Sequence, residues 1–247
     1  MGIFDQFTRG VKKTSDEIIN KEDFFKKSFL NLKPIIRIVF DEDHLEKTLF
    51  ELEESFLSFG EKISEDENNV NKEIEKFISE ISSGKLKFEE EERIFKLGIS
   101  KNYHIRNAEA FLNHYAYLLF DKKRFLEGLD ILLKGILMMP MQFYRQKSAN
   151  APERVLKIIE NRYSAYLDSF GYGLFLIESY EFSIVFFSEA INCSPNHEDI
   201  TEFFTNRGIS KLKIGLKHLA KLDFEEALKI DKNYETAQNL LSKMNSN

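Results

Sequence analysis

A chain of 247 residues, 43% of them hydrophobic, has enough apolar side chain to bury a real core, so composition excludes a chain disordered throughout. Its 35 basic and 41 acidic residues leave a formal charge of -6, which excludes a general attraction to nucleic-acid phosphates or anionic lipid. Twenty-four Phe, no Trp, four Pro and eleven Gly exclude a protein of many short strands and turns, and predict an all-α one.

The opening residues Met1 to Phe7 show no positive segment followed by an apolar one, and Asp5 interrupts any such run, so no signal peptide is expected. Gln6 stands where the myristoylation pattern wants Ser or Thr. The most apolar stretch, Pro34 to Phe40, is too short to span a bilayer and carries Arg37. A single cysteine, Cys193, has no intramolecular disulfide partner and fits a reducing compartment. The expectation is a cytoplasmic protein with no membrane span.

The N-terminal region, residues 1–105, reads as four or five helices: about 15–33, 35–40, 42–62, 67–82 and 88–98. Asp41 to Asp43 cap and charge the start of the third, whose stripe is Leu45, Leu49, Leu52, Phe56 and Leu57. Val70, Ile74, Phe77, Ile78 and Ile81 make a similar stripe in the fourth, and Gly84 is a stop signal. This half is either a separate helical domain or a set of eroded repeats.

From residue 106 onward a period emerges. Ala116, Gly128, Leu132, Gly135 and Pro140 step by 12, 4, 3 and 5; so do Gly171, Ser183, Phe187, Ala190 and Pro195; so do Gly208, Ala220, Phe224, Ala227 and Lys232. Two antiparallel helices can approach closely where facing positions are small, such as Gly171 with Ser183 or Gly208 with Ala220. The large Leu132, Phe187 and Phe224 then fill the groove beyond, and Pro140 and Pro195 are expected to end their helices. Between the first two units lies a surplus of 21 residues, with a polar turn at Gln146 to Ala151 and Pro152 in a first helical turn. The apolar pattern Val155, Ile158, Ile159, Tyr163, Tyr166, Leu167, Phe170 runs on unbroken, so the first helix of the second unit extends backward, either as a protruding ledge or as a cover for the first unit.

On these residues the chain resembles the tetratricopeptide repeats, helix hairpins of 34 residues, over about Glu109 to Tyr234. Leu112, Tyr115-Ala116 and Leu119, then Leu167, Phe170-Gly171 and Leu174, then Phe204 and Arg207-Gly208 stand for the first helices; Lys211 departs at the aromatic position. The best match is Asn206 to Ser210 with Ile214, Gly215 and Asp223 to Asp231. The resemblance implies repeats at about 109–142, 164–197 and 201–234, a capping helix at 235–244, and a helical-repeat superhelix over 106–247. It also implies a concave groove lined by the first helix of each unit: Asn113, Tyr117, Phe120 and Asp121; Asp168, Tyr172 and Phe175; Thr205, Ile209 and Lys213. The Lys and Asn clamp with which some family members hold a C-terminal carboxylate is missing, because acidic or neutral residues occupy the matching positions.

No chemistry competes strongly with binding. His44, His104, His114, His197 and His218 are scattered without metal-ligand spacing, and no metal or cofactor is expected. No phosphate loop, GxSxG or glycine-rich dinucleotide turn occurs. The acidic runs Asp41 to Asp43 and Glu89 to Glu92 sit where helix starts want negative charge. The expectation is a non-catalytic adaptor or scaffold that binds a protein segment, with no nucleic-acid partner. The alternative is a self-assembling helical protein, a homo-oligomer, whose groove is filled by its own N-terminal half.

Overall fold

A computed structural model describes residues 16–59, 72, 74, 76, 79, 86–103 and 111–245, with side chains from residue 24. Among these residues the secondary structure is helical and contains no strand. Ten helices follow in order: α1 (Asp16–Val39), α2 (Glu42–Phe59), α3 (Phe88–Ser100), α4 (Phe111–Asp121), α5 (Phe125–Ser148), α6 (Glu153–Leu176), α7 (Tyr180–Cys193), α8 (Ile200–Lys213), α9 (Lys217–Ile230) and α10 (Glu235–Asn245). No helix among the described residues is long and apolar enough to cross a membrane. Most of the helix expected at 67–82, the stop at Gly84, His104 and Glu109 lie outside the described residues; Ile74 of that stripe is helical and buried.

The chain divides into two compact units, Met1–Val39 with Met139–Asn247, and Phe40–Met138. The division falls within α5, and the boundary expected near residue 105 lies inside the second unit.

Two expected helix ends are corrected. Pro34 lies inside α1 and Pro140 inside α5. Each removes one backbone donor and crowds the carbonyl four residues back, at about 3 kcal/mol. Apolar side chains on both sides offset that loss by burial: Leu32, Ile35 and Ile36 around Pro34, and Met138, Met139, Met141 and Phe143 around Pro140. Pro195 does follow the end of α7, and α6 does extend backward, to about 36 Å in all for its 24 residues.

In the unit Phe40–Met138, Asp41 accepts the His44 N–H at 2.7 Å and so caps α2. The run Glu89 to Glu91 occupies the first turn of α3, where Glu90 accepts the Lys87 N–H. Glu92 takes Arg124 at 2.7 Å and Lys96 at 3.0 Å. Burial alone would raise its pKa, but those two cations hold it below the usual carboxylate value. Phe95 stacks on Tyr115, and Phe111 closes over Gly98.

In the other unit, α1 lies on α6 and on the end of α5 through Phe25, whose ring meets Phe143 at 4.7 Å and Tyr163 at 5.0 Å. Ser28 and Tyr163 share a buried hydrogen bond. Helices α6 to α10 then pack in sequence. Phe187 of α7 fills the space over Gly171, and Phe224 of α9 fills the space over Gly208, each sixteen residues further on. Ser183 of α7 donates to Ser210 of α8, joining one hairpin to the next. Ala220, Phe224, Ala227 and Ala237 make the core under α10.

Three hairpin turns are built alike. Lys123, Glu178 and Gly215 are left-handed, with φ of 59°, 62° and 82°, and each lies seven residues after Ala116, Gly171 or Gly208. The following N–H reaches back five residues in each: Arg124 to Leu119, Ser179 to Leu174, Leu216 to Lys211. This is the helix stop in which one left-handed residue lets the last carbonyls find donors.

Candidate functional site

The expected groove residues divide between the units. On α4, Asn113 is half-buried and its Oδ1 is buried without a hydrogen-bond partner among the described residues. Tyr117 is 37% exposed and meets Phe120 edge to face, while Phe120 is buried over Gly128 and Asp121 faces solvent.

On α6 and α8 the expected residues come closer together. Tyr172 and Phe175 are half-buried and stack nearly parallel, with centroids 6.4 Å apart. Tyr180, at the start of α7, meets Phe175 edge to face at 5.3 Å. Lys213, at the end of α8, holds its ammonium 5.9 Å from the Tyr180 ring. Ile209 packs partly against the Phe224 core. Thr205 is buried and satisfied within its own helix, donating to the Thr201 carbonyl at 2.9 Å. The result is a partly exposed aromatic patch with one cation at its edge.

One turn before Tyr172 along α6, Asp168 is only 5% exposed and accepts a hydrogen bond from the Asn206 amide of α8 at 3.4 Å. Burial, then the charges of Glu202 and Asp199, push its pKa well above the ordinary aspartate value, and the Asn206 bond offsets this only in part. Glu202 is raised by its own burial and by Asp199, with Asn206 again acting the other way. Tyr234, at the start of α10, is raised by burial and by Glu202, Asp168 and Asp199. Asp199 sits beside His197, whose Nδ1 accepts the Asp199 N–H at 3.0 Å; burial lowers the His197 pKa.

Asp223 shows how the same unit treats another buried aspartate. Arg207 reaches it with two nitrogens, at 2.7 and 3.1 Å, and Lys211 with one, at 2.7 Å. Arg207 also donates to Ser188 at 3.2 Å and lies over the Phe204 ring. Lys211 therefore has a structural partner at the position where the repeat pattern expects an aromatic.

Tyr180, Glu202 and Asn206 were not among the expected lining residues. Tyr180 belongs to a second helix, and the groove was read from first helices only. Glu202, Asn206, Ile209 and Lys213 do recur at helical spacing, so the α8 stripe was available from the period. Among the described residues, no three His, Cys, Asp or Glu side chains converge as a metal shell would require. Compared with known proteins, the chain matches no family model, no curated protein and no solved structure.

Proposed function

We propose that this chain is a helical-repeat protein of the tetratricopeptide kind that holds a segment of another protein, and that it works by binding rather than by catalysis. The observation that carries the reading is the partly exposed aromatic patch of Tyr172, Phe175 and Tyr180 on the hairpin of α6 and α7. Stacked, half-buried rings offer apolar area with little rotamer entropy to lose. The like-built turns at Lys123, Glu178 and Gly215 support the repeat assignment. Tyr163, which α1 covers, lies nine residues before Tyr172, hence on the opposite side of α6. The N-terminal helix therefore engages the other face of α6.

A photo-crosslinking amino acid placed at Tyr172 tests this, with the same group at the exposed Leu222 of α9 as control. Tyr172 is expected to give a discrete adduct with one other protein in the native host, and Leu222 none. Crosslinks from Tyr172 only to residues of the same chain would overturn the reading in favour of a groove filled from within. Crosslinks between copies would favour self-assembly.

A further inference from the structure

The acidic and aromatic parts of the α6–α8 face are one helical turn apart and specify more than an apolar partner. Asp168 and Tyr172 are four residues apart on α6, and Glu202, Asn206, Ile209 and Lys213 form the stripe beside them on α8. Burying a carboxylate is costly unless a cation or several donors meet it. Asp223 is met by Arg207 and Lys211, yet among the described residues Asp168, equally withdrawn from solvent, has only the neutral amide of Asn206, and its charged neighbours Glu202 and Asp199 are of its own sign. What would balance Asp168 is a cation from outside the described chain. A cation carried on a long side chain of a protein segment suits a face whose adjoining part is the aromatic patch of Tyr172, Phe175 and Tyr180.

We propose that this face takes a protein segment bearing an arginine or lysine, its cation seated between Asp168 and Glu202 and a neighbouring apolar side chain on Tyr172, Phe175 and Tyr180. The proposal rests on the binding function above and names the chemistry of the partner. Direction follows from charge: Lys213 repels a second cation at the aromatic end, so the basic residue lies at the Asp168 end. From Asp168 to Phe175 is seven residues of helix, about 10 Å. That distance fits a basic and an apolar residue seven apart in a helical segment, which share one face; in an extended segment only even spacings share a face, and four apart, about 13 Å at about 3.3 Å per residue, is the shortest that reaches. Seating the cation favours the ionised carboxylate, so a proton leaves Asp168 as the segment binds, and affinity rises with pH. The groups facing Asp168 in that titration are Glu202, Asp199 and Asn206 of the α8 segment and Tyr234 of α10.

The test uses the full chain and fluorescein-labelled peptides in which one arginine is followed by leucine at either spacing, each paired with a twin carrying citrulline, the neutral isostere of arginine. Fluorescence anisotropy is expected to give at least tenfold tighter binding of the arginine peptide at one spacing. That preference is expected to vanish in Asp168→Asn and to shrink in Glu202→Gln. Tyr180→Ala is expected to weaken the arginine and citrulline peptides alike. Equal binding of the twins, still sensitive to Tyr180→Ala, would overturn the cation seat and leave the binding function standing. No binding of any peptide up to 1 mM would overturn both. Asp168→Asn keeps the shape of the side chain and its acceptor for Asn206, so loss of preference in a variant that melts no lower than the parent cannot be put down to misfolding.

Discussion

Gly208→Ala puts the hairpin packing to its sharpest test. A methyl group on Gly208 would stand 2.5 Å from Phe224 Cε1 and 3.0 Å from Cδ1 and Cζ. Carbon atoms in contact prefer about 3.5–4.0 Å, so the ring must retreat by about 1 Å. Phe224 is fully buried among Ala220, Ala227 and Ala237, and the partly buried Phe204, Leu228 and Leu240 pack against this cluster, so the ring cannot retreat without displacing neighbours. Overpacking of this kind costs about 1–3 kcal/mol. Replacing a mid-helix glycine by alanine returns about 1 kcal/mol of helix propensity. A contact this short belongs in the upper part of the overpacking range, so the net loss is expected to be about 1–2 kcal/mol. Phe224→Leu makes room, and in the double variant the propensity gain should reappear, giving a coupling of at least about 1 kcal/mol in a double-mutant cycle. Urea denaturation followed by circular dichroism measures the four free energies, and amide exchange in α8 and α9 shows where the loss falls. A stabilised Gly208→Ala, or a cycle additive to within about 0.5 kcal/mol, would refute the packing argument.

At Glu178 a non-glycine residue holds the left-handed turn that Gly215 holds one hairpin later. Glu178→Gly should therefore raise stability by up to about 1 kcal/mol, and Gly215→Ala should lower it by a similar amount. At about 2–4 °C per kcal/mol for a chain of this size, melting curves with opposite shifts would bear this out and shifts of one sign would not. Arg207→Ala strips Asp223 of its two-pronged partner and should cost about 3 kcal/mol; Arg207→Lys should recover only part of it, and a melt unchanged by either substitution would show the cluster to be ornamental. Burial raises the Asp168 pKa in the folded state, so the folded chain holds that proton to higher pH than the unfolded chain does. The stability this contributes is complete below the unfolded value, near 3.8, and is lost as pH rises through the folded one. Asp168→Asn should thus change little at pH 3.5 and stabilise the chain near pH 7 by about 1–2 kcal/mol, the scale of relieving a poorly matched buried group. A stability difference that does not vary with pH would sink that account.

Much of the helical layout follows from the sequence by itself, because periodicity and punctuation are local. The unbroken apolar spacing from Val155 to Phe170 required one long helix, and α6 is that helix. The repeated step marked Gly171 and Gly208 as points of close approach and Phe187 and Phe224 as fillers one turn beyond them, whereas in the packed hairpins each ring lies over the glycine itself. The acidic runs at Asp41 to Asp43 and Glu89 to Glu92 were readable as helix starts because carboxylates answer unpaired amide donors there, except that Glu92 lies past the first turn and pairs with Arg124 and Lys96 instead. The prolines were not readable in the same way. Whether Pro34 and Pro140 end a helix depends on how much apolar surface the continuing turns bury, which is a tertiary quantity.

The site divides along the same line. Tyr172, Phe175 and Lys213 could be named because the resemblance to tetratricopeptide repeats implies a groove lined by the first helix of each unit. That Tyr180 joins them, that α1 lies on the Tyr163 side of α6, and that Asp223 gains two cations while Asp168 gains an amide all depend on contacts between residues far apart in the chain. A sequence fixes which residues carry charge, whereas burial and neighbours decide what each charge costs, and only the packed helices supply those.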